Sequence, residues 1–453
     1  MLVMKFGGTS VGDAKAITRL IDIVKSRLPK KPVVVVSAIS KATNILQDVA
    51  LAAGKNNIDY ALTETENLKL RHLQILNELI PDNSLRAEGA KKIDQYFLEL
   101  TNLLKGVSLL GELSNRSQAK IISFGELLSS NIVSLAMQQN NLANAWLDAR
   151  QFMITNDDYL KAKPDLGAIS QKVPAIMQPY LAKNLVVLTQ GFIGNSHNGI
   201  ATVLGRESSD YSATLIGMAL NVEEIEIWTD VDGILTADPR KVEGTKLVPT
   251  ISFAEAAELA SFGAKVLHPL TIQPAIEKNI PVRILNSMHK ENPGTLILPQ
   301  TSDEDIRSIA CKKMVTVLNV VANNPQNSYT FLKKIFETLD KHDTTLDIAN
   351  ISRTNVSLIL NYNEEYLPKI IEELSKFATV NIEHNKSLIC VVGKNIKQDK
   401  GIVNRIFQVL ENFVITMISH GASDINLSFV VNRDELEQAM QKLHDEFFND
   451  SKS

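Results

Sequence analysis

Lys5 closes a short apolar run and is followed, one residue on, by a glycine pair and two hydroxyl residues, in MLVMKFGGTSVG. Glycines let backbone N–H groups approach a ligand closely, and a nearby lysine supplies a point charge for phosphate oxygens. The same residues also suit an ordinary turn at a strand end. Neither GxxxxGK[ST] nor GxGxxG is present there, so the string alone decides nothing. Five further strings carry comparable groups. VLGRESSDYSA (203–213) offers Arg206, whose planar fork matches a carboxylate, with Ser209 and Asp210, either of which could simply cap a helix. WTDVDGILTADPRKV (228–242) sets Asp230, Asp232, Asp238 and Arg240 around Gly233. It lacks the ligand order of an EF-hand, and a solvated acidic turn would read the same way. FGAKVLHP (262–269) holds Lys265 in an otherwise apolar stretch, where a lone lysine is ordinarily a surface residue. SAISKATNIL (37–46) puts Ser37 at the end of a valine run, where α/β sheets place ligand contacts. ISFGELLSS (122–130) puts Glu126 behind a glycine, a position that helix-dipole complementarity would also explain.

These groups need elements to position them. VVVVSA (33–38), LVVLTQGF (185–192), IEIWTD (225–230) and VRIL (282–285) are nearly continuous apolar runs, the pattern of parallel strands covered on both faces. Helical patterns alternate with them over about 12–27, 43–53, 64–105 with a break at Pro81, 116–139, 209–220 and 252–262. The rhythm predicts an α/β domain with a mainly parallel central sheet. KENPG (290–294) is a turn, and the polar TSDEDIRS (301–308) reads as a linker.

Beyond the linker the chain repeats itself. Residues 335–360 align without a gap onto 406–431, an offset of 71, matching Ile335 to Ile406, Ser352 to Ser423, Asn355 to Asn426 and Ser357 to Ser428. Each copy reads as a strand, a helix, two strands and a closing helix. That order resembles a ferredoxin-like βαββαβ unit, with no obvious final strand in the second copy.

The bulk composition narrows the function classes. At 453 residues, two or three domains are expected. A net charge of −4 gives no support to a nucleic-acid or membrane partner. The two cysteines, Cys311 and Cys390, lack metal-ligand or disulfide-framework spacing, which fits a reducing, cytoplasmic setting.

Read in order, KFGGTSV, SAISKATN, ISFGELLSS, TQGFIG, LGRESSDYSA, IWTDVDGILTADPR and FGAKVLHP resemble the motif series of the aspartate kinases, which have the amino acid kinase fold. MISHGAS and NLSFVV resemble the second ACT module of the same enzymes. The resemblance implies a catalytic domain over 1–298, a linker over 299–308, and ACT-like modules over 309–384 and 385–453. It implies transfer of the γ-phosphoryl group of ATP to the side-chain carboxylate of L-aspartate, giving 4-phospho-L-aspartate at the head of aspartate-derived amino-acid biosynthesis. A carboxylate with a reference pKa near ~3.9 is already ionised at neutral pH, so no general base is needed. Positioning and charge neutralisation carry the reaction.

By the same resemblance, Lys5, Asp210 and Lys265 are the catalytic set. Lys5, Phe6, Gly7, Gly8, Thr229, Asp230, Leu235, Asp238, Arg240, Lys265 and Val266 face ATP. Ser37, Thr43, Glu126, Arg206 and Ser209 bind aspartate. Mg²⁺ is held by phosphate oxygens and water, with no metal site on the protein. Asp347, Asn350 and Ser352 receive lysine or threonine as feedback effector, and ACT modules pair subunits into a homodimer or larger homo-oligomer. Three departures stand out. GRESSD puts Ser208 where the family has glycine, at a cost of about 1 kcal/mol if that position requires positive φ. Leu235 replaces a common aromatic, and 346–358 lacks the effector-loop glutamate. The alternatives are a different amino acid kinase and a non-catalytic ACT-based amino-acid sensor.

Overall fold

A computed structural model describes residues 1–205, 208–263, 271–301, 306–324, 328–342, 344–361 and 365–449. The chain divides into two compact units, Met1–Ile234 with Leu267–Pro299, and Leu235–Val266 with Gln300–Ser453. The expected boundary near 298 is thus one of several crossings, because the chain leaves the first unit at 235 and returns to it at 267.

The first unit opens with β1 (Leu2–Phe6) and α1 (Ala14–Arg27), whose start is fixed by the Asp13 side chain accepting from the Ala16 N–H at 2.8 Å. β2 (Pro32–Val36) is the buried valine run. Four helices follow: α2 (Ala42–Gly54), α3 (Ile58–Leu79), α4 (Asn83–Leu110) and α5 (Asn115–Gln139). Pro81 falls between α3 and α4, where the break was expected. α5 is apolar nearly all round because it runs through the interior; Ala119, Ile122, Leu128 and Val133 are all buried.

β3 (Asn144–Trp146) and β4 (Ile154–Thr155) lead to α6 (Leu166–Leu181), which the sequence reading left out. Pro174 and Pro179 lie inside that helix, and two internal prolines mask its signal. β5 (Val186–Gln190), β6 (Ile193–Ser196), β7 (Ala201–Val203), α7 (Ser209–Leu220) and β8 (Glu224–Thr229) follow. The chain then supplies β9 (Thr250–Ser252) and α8 (Phe253–Ser261) to the second unit. It returns through α9 (Gln273–Glu277), β10 (Val282–Asn286) and β11 (Thr295–Leu298).

Within the first unit the main sheet runs β3-β5-β2-β1-β8-β10-β11. Every pair is parallel except the β10–β11 hairpin. Gly294 turns that hairpin at φ 66°, where a Cβ would overlap the Ile284 carbonyl. The parallel sheet puts the carboxyl ends of β1, β2, β5 and β8 side by side. In such sheets that edge is where ligands bind.

In the second unit β12 (Ile306–Ala322), α10 (Ser328–Lys341), β13 (Thr345–Ile351), β14 (Asn355–Asn361), α11 (Leu367–Ser375), β15 (Ala378–Gly393), α12 (Lys400–Val409), β16 (Met417–His420), β17 (Asn426–Asn432) and α13 (Leu436–Phe448) follow in order. Their sheet runs β13-β14-β12-β15-β17-β16, antiparallel throughout. β14 and β17 are offset by the same 71 residues as the sequence repeat.

The strand missing from the second copy comes from β12. That strand breaks register between Lys312 and Val315, with Met314 at φ 58°. Its first half, through Lys312, pairs with Leu388–Gly393. The half after the break pairs with the start of β15 and with β14. Two cores result, one around Leu318, Phe331, Ile335 and Leu358, the other around Ile309, Ile389, Ile406 and Phe429. Residues 306–308, expected in the linker, are therefore strand. The segment begins polar, but Ile306 and Ile309 face the second core.

Candidate active site

Lys5 is the last but one residue of β1, and its Nζ lies 2.7 Å from Asp210 Oδ1 in the first turn of α7. Both side chains are largely buried, at 11% and 15% exposure, so the attraction is only weakly screened. Asp210 is not the helix cap; Ser208 occupies that position, and its hydroxyl donates to the Gly205 carbonyl at 2.7 Å. Ser208 has φ −86°, an ordinary value, so the expected left-handed cost is absent. Gly205 is the residue with positive φ, at 96°.

Ser37 follows β2, and its hydroxyl donates to Ser209 Oγ at 2.8 Å, joining the sheet edge to the start of α7. Gly191, just past β5, permits this approach, since a Cβ there would lie 2.6 Å from the Ser209 Cβ. Glu126 lies well inside α5, away from its first turn, which removes the helix-dipole explanation. One of its oxygens accepts from the Ala38 N–H at 3.2 Å, and the other is buried without a partner. Burial pushes its carboxyl up to about 8. Gly125 brings α5 against the 37–43 loop: a Cβ would sit 2.9 Å from the Ala38 side chain and 3.7 Å from the Thr43 hydroxyl. Ser37, Thr43, Glu126, Ser209, Lys5 and Asp210 thus gather at one edge of the sheet.

The glycine turn is only partly available to a ligand. Gly7 N–H donates to the Trp228 carbonyl at 3.1 Å, which corrects its expected role as a phosphate donor. Phe6 is likewise engaged within the protein. Its ring stacks on Trp228 in the core, and its carbonyl accepts from Ser37 N–H. Gly8 remains, packed so closely that a Cβ would be 3.1 Å from the Ala38 carbonyl. Arg71, which sequence reasoning missed, ties the two loops together by donating to the carbonyls of Ser40 and Gly12. Nothing in its helical context marks it.

Thr229 ends β8, and its hydroxyl donates to the exposed Asp230 at 3.2 Å. Leu235, Asp238 and Arg240 belong to the second unit. There Asp238 pairs with Arg240 at 3.0 Å and Lys241 at 2.9 Å. Burial works to raise the Asp238 carboxyl, but these two cations outweigh it and hold it far below the usual range. Leu235 offers its carbonyl to the Ser308 hydroxyl. Arg206, Lys265 and Val266 lie outside the described residues. Of the expected effector residues, Asp347 pairs with Lys312 at 2.5 Å. Asn350 donates to the Ile418 carbonyl, and Ser352 closes the β13–β14 turn against Asn355.

Residues 1–286 match the model of the amino acid kinase family, and 389–447 match an ACT domain. The chain is 36% identical to aspartokinase 3, chloroplastic, of Arabidopsis thaliana, over 98% of this chain and 81% of the relative. It is 34% identical to the lysine-sensitive aspartokinase 3 of Escherichia coli, over 99% of both. The chain belongs to the aspartokinase family. Crystal structures of Escherichia coli aspartokinase III superpose on 99% of it, at TM-score 0.82 for the aspartate and ADP complex and 0.86 for the lysine and aspartate complex. The chain is an aspartate kinase, whose work is phosphoryl transfer to a carboxylate. The Lys5–Asp210 pair suits that work by placing a fixed cation at the edge of the parallel sheet. Among the described residues no helix is long and apolar enough to cross a membrane.

Proposed function

We propose that this chain transfers the γ-phosphoryl group of ATP, supplied with Mg²⁺ on its phosphates, to the side-chain carboxylate of L-aspartate, and that lysine feeds back on the reaction. The observation that carries the reading is the buried Lys5–Asp210 pair beside Glu126 and the Ser37–Ser209 bridge. Lys5 neutralises charge on the transferring oxygens, while Asp210 holds the ammonium in place and takes no proton. Glu126 has a free buried oxygen that suits the substrate ammonium. Ser37, Thr43 and Ser209 supply hydroxyls for its carboxylates, with Arg206 as the clamp. Gly8, Thr229 and Asp230, with Leu235, Asp238, Arg240, Lys265 and Val266, serve the nucleotide.

Lysine is favoured over threonine as effector because Asp347 already holds an alkylammonium, that of Lys312. A homodimer through the ACT sheet, and a place at the first step of aspartate-derived amino-acid biosynthesis, complete the proposal. Incubation with ATP, Mg²⁺ and aspartate, with hydroxylamine to trap acyl phosphate, tests it. Aspartate-dependent hydroxamate is expected. Product from glutamate alone, or none, would overturn it.

A further inference from the structure

A cavity of about 900 Å³ shares no residue with the candidate active site. It lies where the start of α5, α6 and the β6–β7 hairpin meet, and its wall includes Arg116, Lys120, Arg150, Lys172 and His197. Three of these have carboxylate partners: Lys120 with Glu99, Arg150 with Asp148, and His197 with Asp165. Arg116 and Lys172 are exposed and have no carboxylate within ion-pair distance among the described residues. The wall therefore keeps a positive field after its internal pairs are counted.

A second observation points the same way. Ser196, only 2% exposed, lines the cavity, and its hydroxyl is buried without a hydrogen-bond partner. A buried hydroxyl left unmatched is costly, and a bound acceptor would satisfy it. Position on α5 separates the cavity from the aspartate site. Ser117 lies nine residues before Glu126, about half a turn round the helix at roughly 100° per residue, so the two face opposite sides.

We infer that this cavity is a second ligand site, one that binds a small polyanion bearing phosphate or carboxylate groups through Arg116, Lys172 and the Ser196 hydroxyl. Arg150, held charged by Asp148, and Lys120 extend the cationic wall for a ligand with more than one anionic group.

Calorimetric titration of the full chain with pyrophosphate, and separately with citrate, tests this. At least one should bind at millimolar concentration, and the tighter of the two identifies phosphate or carboxylate as the preferred group. Arg116→Gln and Lys172→Gln should each weaken that binding about tenfold or more, because each removes a charge-assisted contact. Both residues are exposed, so neither change threatens folding. Lys5→Met should leave the binding intact. If neither anion binds, or if Lys5→Met abolishes binding while the Arg116 and Lys172 variants retain it, the inference fails.

Discussion

Lys5 and Asp210 lie far apart in the sequence and meet as a buried ion pair, 2.7 Å apart, where β1 ends and α7 begins. The pair serves two purposes that can be separated. In transition-state stabilisation, loss of a preorganised cation costs about 10²- to 10³-fold in turnover. In folding, removing one partner of a buried pair costs about 3 kcal/mol, because the other charge is left uncompensated. Lys5→Ala is therefore expected to lower both turnover and denaturant stability. Lys5→Ala/Asp210→Ala should recover part of the stability and none of the turnover. A double variant whose loss equals the sum of the Lys5→Ala and Asp210→Ala losses would show that the pair is not coupled in the folded state.

Glu126 sets a pH dependence whose sign follows from its raised pKa. Free enzyme holds a proton on this carboxyl up to about pH 8. A substrate ammonium pairs with the ionised form, so binding aspartate must release that proton. The kcat/KM for aspartate should rise with pH until about 8 and then level off, with a limiting slope of about tenfold per pH unit. Glu126→Gln should abolish the slope along with most of the affinity. The stability effect has the opposite direction. A folded-state pKa raised above the unfolded value gives stability that is present at low pH and lost as pH rises through 8. Chemical denaturation at pH 6 and 9 should show the parent losing ground to Glu126→Gln.

Ser208 stands where the aspartate kinase motif that GRESSD resembles has glycine, and the structure reverses the expectation attached to it. Its φ of −86° needs no glycine, and its hydroxyl bonds to the Gly205 carbonyl. Ser208→Gly is expected to lower stability by about 1 kcal/mol, through a lost hydrogen bond and a freer unfolded chain. It should leave the KM for aspartate within about twofold of the parent value, a shift small in free energy. A large improvement in KM would mean that serine strains the loop after all.

Much of this architecture was legible in the sequence because its signals are local. The apolar runs at 33–38 and 225–230 became β2 and β8 since strands buried on both faces need no polar alternation. The 71-residue repeat gave the two ACT cores because each copy packs its own helices. What stayed hidden depended on partners distant in the chain. Only pairing with Leu388–Gly393 reveals that Ile306–Lys312 completes the second module. Gly7 reads as a phosphate donor until Trp228, at the end of β8, is seen to accept its N–H. Gly191 and Arg71 position the site through close approach and long-range bonds, which no spacing rule records.

Asp347 and Lys312 make the last prediction. Their ion pair, at 2.5 Å with both side chains under one-third exposed, links β13 of the first core to the half of β12 that serves the second. A lysine effector that uses its ammonium against Asp347 must displace Lys312 from it. Lys312→Met frees the carboxylate and should lower the lysine concentration needed for half-inhibition. Asp347→Asn should raise that concentration about tenfold or more, the scale of one charge-assisted contact. Inhibition curves against lysine, with threonine in parallel, measure both shifts. If Lys312→Met weakens lysine inhibition as much as Asp347→Asn does, the ion pair is part of the effector's binding surface and is not its competitor.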